Sequence, residues 1–165
     1  MLRKAGTDDI PAIRALADKA FRHTYRDILP PVQMEYMMEM MYSSDSLLRQ
    51  MTEEGHTFYI CDGQGYVSYR RDGCLSDGRP CFHLEKIYVL PECQKSGLGR
   101  QLFDCIVEAV RLDAAGKALR LELNVNRNNP AVGFYEHLGM RKDRQGDFPI
   151  GGGFYMNDYI MALDL

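Results

Sequence analysis

Seven consecutive residues, Gln94 to Arg100 (QKSGLGR), combine two glycines with a serine and two basic side chains. An apolar run, 87–90, precedes them, and leucines at helical spacing follow from Leu98. The pattern predicts a strand that leads into a helix through a turn whose glycines leave backbone N–H groups uncovered. Free amides and the positive end of a helix dipole together form a site for phosphate.

Two better-known phosphate motifs do not fit this turn. A P-loop would end in Gly-Lys-Ser/Thr, which is missing here. A dinucleotide fingerprint needs a third glycine, and position 102 is leucine. Taken alone, the two glycines are also compatible with an ordinary tight turn, so the phosphate hypothesis needs support from the rest of the chain.

The composition is that of one globular domain spanning residues 1–165. Of the residues, 45% are hydrophobic and 26% are charged, and the length suits a single core. The formal net charge is −3, and basic residues occur in pairs at most. This balance disfavours nucleic acid as a partner.

The five cysteines and the chain start indicate a reducing compartment. Five is an odd number, no CxxC is present, and no secretory leader precedes them. No apolar stretch is long enough to span a membrane. We therefore expect a cytoplasmic protein without a membrane partner. We also expect no metal, because His23, His56 and His137 lack metal-ligand spacing.

Hydrophobic periodicity predicts strands and helices that interleave along the chain. The expected fold class is α/β or α+β, on a mixed sheet. We predict a loop over 72–80 and a closing hairpin at the C-terminal end. The predicted strands are 2–5, 57–61, 65–70, 81–90, 119–125, 140–144 and 154–163, and the predicted helices begin near residues 10, 34, 44, 98 and 130.

Two segments read together resemble the GCN5-related N-acetyltransferase (GNAT) family. The first is Ile87-Tyr88-Val89 followed by Gln94-x-x-Gly97-x-Gly99, and the second is Asn128-x-x-Ala131-x-x-Phe134-Tyr135-Glu136-x-x-Gly139. The likeness is sharpest over residues 81–141. It implies a single domain with a central mixed, mostly antiparallel sheet flanked by helices, in which strands 83–90 and 118–125 splay apart.

The resemblance also implies acetyl-CoA as the cosubstrate. In the family the turn amides hold the CoA pyrophosphate, and the exposed strand edge pairs with pantetheine. Asn128 matches the family asparagine near the pantetheine, and Tyr135 matches the tyrosine near the thioester sulfur. The cofactor-binding residues implied in this way are Ile87, Tyr88, Val89, Gln94, Lys95, Ser96, Gly97, Leu98, Gly99, Arg100, Asn128 and Tyr135.

Acetyl transfer to an amine requires two proton transfers. A free alkylamine has a pKa near 10 and must lose a proton before it attacks the thioester. The departing thiolate benefits from an acid, and the phenol of Tyr135 is the candidate because it stays protonated at neutral pH. Glu85 and His83, two residues apart on one strand face, are the candidate bases. Glu122 or a water chain remain alternatives, and a bulge in this strand would change which residues face the cleft.

The acceptor is expected to be a small-molecule primary amine, attacked directly in a ternary complex. Residues 22–42 and the C-terminal hairpin offer acidic groups among aromatics and methionines, which suits a small cation. A peptide N-terminus or lysine, and a CoA-binding regulatory module without turnover, are the alternatives. The closing strand is a candidate for pairing in a homodimer. The residues that these regions offer to an acceptor are Tyr25, Tyr36, Glu35, Glu39, the methionines between 34 and 51, and the stretch Gly151 to Asp158.

Overall fold

A single seven-stranded sheet organises the chain, and the computed structural model describes all residues 1–165. The strands are β1 Leu2–Lys4, β2 Thr57–Cys61, β3 Gly65–Cys74, β4 Pro80–Val89, β5 Arg120–Asn126, β6 Arg141–Gly151 and β7 Phe154–Asp164. They lie in the sheet in the order β1-β2-β3-β4-β5-β7-β6. Only β4 and β5 run parallel, and every other neighbouring pair is antiparallel.

Five α-helices flank the sheet, and each begins where the sequence supplies a suitable first turn. Proline occupies the first turn of α1 and α2, where a missing N–H costs nothing. The cap of α3 is Ser43, whose hydroxyl accepts a hydrogen bond from Ser46 N. The helices are α1 Ile10–Tyr25, α2 Pro31–Tyr42, α3 Ser44–Thr52, α4 Leu98–Asp113 and α5 Ala131–His137.

The sheet separates two apolar cores. On one side, Leu102 and Ile106 of α4 pack with Leu121 and Leu123 of β5, and α5 completes this core. On the other side, α1, α2 and α3 cover β2, β3 and the end of β4. Four of the five methionines of α2 belong to this second core, with Met34 and Met37 buried, so they serve as core contacts, whereas Met40 is exposed. This arrangement confirms the predicted mixed, mostly antiparallel sheet flanked by helices.

A bulge in β4 changes the direction of its side chains. Ser68 of β3 pairs with Lys86, whereas the next residue, Tyr69, pairs with Leu84, so Glu85 has no partner on β3. Before the bulge, Leu84 faces the α4 core; after it, Ile87 packs on that core instead. A bulge bends the strand and increases its twist. It lies where β4 and β5 part, because their pairing ends at Leu84 and Leu123.

Two hairpins extend further than the sequence predicted. The segment 72–80, expected as a loop, contains the end of β3 and the start of β4, with Cys74 paired to Pro80. The turn itself is closed by Leu75 N, which donates to Arg79 O. Glycine and proline are tolerated at bulges and strand starts, which is why the local composition misled the prediction. Likewise, β6 reaches Gly151 instead of residue 144.

The closing strand cannot supply a dimer edge in this topology. β7 is hydrogen-bonded to β5 on one side and to β6 on the other. Its backbone groups are therefore already paired. The free edges of the sheet are β1 and β6, so the prediction that the closing strand pairs between copies was wrong.

Candidate active site

A cavity of about 670 Å³ opens where β4 and β5 separate. Beyond Leu84 and Leu123 no residue of β4 pairs with β5, so both strands present unpaired edges to the space between them. The end of α1 lines the cavity from one side of the sheet, and the first turn of α4 and α5 line it from the other. The gap therefore connects the two sides of the sheet.

The turn before α4 holds a group of backbone amides that have no acceptor within the protein. The N–H groups of five residues donate to no protein group, whereas Leu98 N donates to Ser96 Oγ at 3.4 Å. They converge at the N-terminus of a sixteen-residue helix, where the dipole also favours an anion. The free amides belong to Lys95, Ser96, Gly97, Gly99 and Arg100.

The two glycines of this turn have different structural roles. Gly97 is the N-cap of α4 and has φ +86°, a conformation that other residues adopt only with strain. Gly99 lets α5 approach α4 closely, because a Cβ at this position would lie 3.3 Å from Phe134 Cζ. Lys95 also has a positive φ, +66°, which is uncommon for a residue with a side chain.

Most of the predicted cofactor-binding residues line the cavity, and three do not. Ser96 donates its hydroxyl to Cys93 O at 2.6 Å, so its side chain stabilises the turn. Leu98 is buried in the α4 core. Asn128 is exposed and lies outside the cavity, whereas its neighbour Asn129 is buried and lines it. The predicted residues that do line the cavity are Ile87, Tyr88, Val89, Gln94, Lys95, Gly97, Gly99, Arg100 and Tyr135.

The family pattern was matched to Asn128, but its neighbour Asn129 is the residue that lines the cavity. Two adjacent asparagines cannot be told apart by sequence pattern alone. Its Oδ1 accepts a hydrogen bond from Ala131 N at 2.9 Å, which fixes the start of α5. Its Nδ2 donates to the hydroxyl of Tyr25 at 3.5 Å. Only the local backbone conformation decides which of the two amides turns inward.

Tyr135 is almost fully buried at the wall of the cavity, on the α4 side of the sheet. Burial raises the pKa of its phenol above the ordinary value, and the neighbouring Tyr25 adds to the increase. The phenol is therefore protonated at neutral pH. No protein group forms a hydrogen bond with its hydroxyl, which leaves the proton available to a bound group.

Of the candidate bases, only Glu85 lines the cavity. Its Oε1 accepts a hydrogen bond from Arg70 Nε at 2.6 Å, which fixes the orientation of the carboxylate. His83 lies outside the cavity, and burial lowers its pKa, so its imidazole is neutral. Glu122 is buried in an ion pair with Arg144, at 2.9 Å, and also lies outside the cavity.

Aromatic side chains form the wall of the cavity on the α1 side. Tyr25 ends α1, and Tyr88 faces it from β4. Burial raises the pKa of both phenols, so both are uncharged. Behind Tyr88, the hydroxyl of Tyr66 donates to that of Tyr42 at 2.6 Å. These tyrosines are scattered in the sequence, and only the fold brings them together.

The acidic residues of α2 do not contribute to this cavity. Glu35 forms an ion pair with Arg22, and both Glu35 and Glu39 line a separate shallow depression between α1 and α2. Tyr36 instead donates its hydroxyl to Ile150 O at 2.8 Å, which joins α2 to the β6–β7 hairpin.

No group of three or more His, Cys, Asp and Glu side chains is arranged to hold a metal ion. None of the helices combines the length and apolarity needed to cross a membrane.

The family model for the GNAT acetyltransferase family matches residues 12–140. A protein described as an uncharacterized N-acetyltransferase in the pepI 3′ region of Lactobacillus delbrueckii subsp. lactis is 26% identical over 149 residues, covering 87% of this chain and 85% of that protein. The chain therefore belongs to the GNAT family, and it is by class an acetyl-CoA-dependent N-acetyltransferase.

Solved structures show the same fold across the whole chain. The GCN5-related N-acetyltransferase from Rhodopseudomonas palustris has a TM-score of 0.79 at 18% identity, with 100% of this chain and 95% of that chain covered. PaiA N-acetyltransferase from Thermoplasma acidophilum, solved in complex with coenzyme A, has a TM-score of 0.68 at 21% identity, with 100% and 98% covered. The ribosomal-protein-S18-alanine N-acetyltransferase from Escherichia coli has a TM-score of 0.65 at 22% identity, with 99% and 92% covered.

The conformation of Gly97 can be tested by Gly97→Ala. The added methyl group is strained at φ +86°, which costs about 1–2 kcal/mol of stability. We expect the turn to shift and acetyl-CoA to bind about tenfold more weakly, as measured by calorimetric titration. The matched control is Gly78→Ala, which has φ +88° and similarly open space but lies in the β3–β4 turn. Equal loss of affinity in both variants would contradict a role for the Gly97 turn in cofactor binding.

Proposed function

We propose that this chain transfers the acetyl group of acetyl-CoA to the primary amine of a small molecule, by direct attack in a ternary complex. One observation carries the proposal: four of the five residues with free amides at the start of α4 line the same cavity as the buried phenol of Tyr135. The amides can bind a pyrophosphate, and the phenol can protonate a leaving thiolate. The coenzyme A bound to PaiA supports the same use of the fold.

In this proposal, acetyl-CoA is bound by backbone groups more than by side chains. The amides of 95–97, 99 and 100 bind the pyrophosphate, and Lys95 adds positive charge beside them. The unpaired edge of β4 at Ile87 and Val89 faces pantetheine, since these residues line the cavity and have no partner on β5. Asn129, which lines the cavity, takes the position that the sequence pattern assigned to Asn128.

Two side chains move the protons. Glu85 accepts a proton from the acceptor's ammonium, directly or through water, and the neutral amine attacks the carbonyl carbon of the thioester. The carbon–sulfur bond breaks, and the CoA thiolate takes the proton of Tyr135. The attacking nitrogen gives up its second proton, directly or through water, to the Tyr135 phenolate, which leaves a neutral amide, and Glu85 returns its proton to solvent. Because its phenol has no hydrogen-bond partner in the protein, no protein contact has to break before the transfer.

Contacts that join α2 to the β6–β7 hairpin, outside the cavity itself, are the support for a small amine over a peptide. Gln33 Nε2 of α2 donates to Tyr155 O at 2.9 Å, and Tyr36 donates to Ile150 O. The hairpin glycines pack directly on α2, because a Cβ at Gly151 would lie closer to the Tyr36 hydroxyl than van der Waals contact allows. An extended peptide that passed between α2 and the hairpin would have to part these elements.

Thiol release from acetyl-CoA over a panel of acceptors tests the activity and its class. The panel includes alkyl diamines, polyamines, amino acids, amino sugars, and peptides with free N-termini or lysines. We expect small amines to stimulate release and peptides to have little effect. If acetyl-CoA binds but no acceptor stimulates release, the chain is a CoA-binding module and the proposal fails.

Tyr135→Phe tests the general acid. Removal of the hydroxyl should lower kcat about a hundredfold, because the thiolate then leaves without a proton donor. The Kd of CoA should stay unchanged, since the ring remains in the wall. Tyr59→Phe on β2, outside the cavity, is the control and should leave kcat unaltered. A large loss of CoA affinity in Tyr135→Phe would instead make Tyr135 a packing residue.

Glu85→Gln tests the general base. The amide keeps the shape of the side chain but cannot take a proton, so kcat/KM for the amine should fall by about a hundredfold. Glu54→Gln, an exposed carboxylate outside the cavity, should leave it unchanged. If His83→Asn abolishes turnover while Glu85→Gln does not, the base is the histidine and the assignment to Glu85 is wrong.

A further inference from the structure

Asp158 is a fully buried carboxylate that lacks a full set of partners. Its side chain is 0% exposed, and its Oδ1 has no hydrogen-bond partner. Its Oδ2 accepts a single bond from Asn124 Nδ2, at 3.3 Å. A buried carboxylate oxygen without a donor is costly, and native structures rarely retain one without a use.

The one nearby cation does not neutralise this carboxylate by direct contact. Arg127 donates to the backbone oxygens of Gly146 and Asp158, at 3.0 and 3.2 Å, and to the carboxylate of Asp147 at 2.7 Å. Its hydrogen bonds therefore go to the backbone of the β6–β7 hairpin and to Asp147, and none goes to the Asp158 side chain. The Asp158 carboxylate remains without a hydrogen-bonded cation.

The carboxylate does not itself line the cavity, but it is hydrogen-bonded to Asn124, a residue that does. Asp158 shares a face of β7 with Met156, which packs on the core under α1–α3. Tyr25 also lines the cavity, and it is close enough to Asp158 for the negative charge to raise the pKa of its phenol, in addition to the larger effect of burial.

We propose that Asp158 binds a second ammonium group of the acceptor, one that does not react, with the side-chain amide oxygen of Asn124 as a second ligand. An alkylammonium carries three N–H donors on a slender chain, which matches one unpaired carboxylate oxygen beside an amide oxygen in a pocket walled by tyrosine. The weak Asn124–Asp158 bond lets the amide turn aside when the ammonium enters. The inference rests on the proposed function, because it specifies the acceptor as a cation at this site.

Asp158→Asn separates this role from a structural one. An unpaired buried charge destabilises the fold, so its removal should leave the melting temperature unchanged or raise it. The KM for an accepted diamine, 1,4-diaminobutane, should rise about ten- to a hundredfold with kcat little changed, since binding to a charged partner is lost. Asp147→Asn, which removes an exposed carboxylate from the neighbouring strand, should leave KM as it is. An unchanged KM, or a lowered melting temperature, in Asp158→Asn overturns the proposal.

Binding of a simple ammonium tests the site independently of turnover. With free CoA present, millimolar n-butylammonium chloride should raise the melting temperature of the wild-type protein, and 1-butanol should not. The shift should disappear in Asp158→Asn and persist in Asp147→Asn. If n-butylammonium does not stabilise the wild type, the ammonium site is refuted even where the amine panel shows acetyl transfer. Stabilisation without any acetyl transfer would refute the proposed activity alone.

Discussion

The loss of pairing between β4 and β5 is the constraint on which the site depends. Backbone N–H and C=O groups in a sheet are normally satisfied by the neighbouring strand, and leaving them unpaired is costly. Here the parallel pair holds only from 81–84 against 120–123. The bulge at Glu85 lies at the end of this pairing, so a bend in one strand coincides with the opening of the sheet. Without that opening, the α4 side and the α1 side would be sealed from each other.

The same bulge decides which side chains of β4 face each side of the sheet. After it, Ile87 packs on the α4 core, whereas Lys86 and Tyr88 turn toward α1–α3. The core under α4 is apolar, apart from the phenols at its edges. Buried ionisable groups are instead found under α1–α3, where they leave polar groups near the α1 side of the cavity.

Lys86 is a buried cation on the side of the sheet covered by α1–α3. Its ammonium donates to Gln50 Oε1 at 2.7 Å and lies 5.5 Å from the centre of the Phe58 ring. Burial lowers its pKa to about 8, so the charge is retained only at some cost to stability. Asp158 lies on the same side of the sheet and also carries a burial cost. The α1–α3 side is therefore less stable than a fully apolar core, a pattern typical of functional regions.

The sequence by itself determined the elements and the turn before α4, because each depends on residues close together in the chain. Helix and strand positions follow from local periodicity, and the fold class followed from their order. The sequence did not predict features that distant contacts decide. These are the lengths of β3 and β6, the choice between Asn128 and Asn129 as the inward residue, and the position of β7 between two other strands. Only the tertiary structure decided that Asp158 keeps an unpaired oxygen behind Asn124, because burial and pairing depend on neighbours supplied by other strands and by α1.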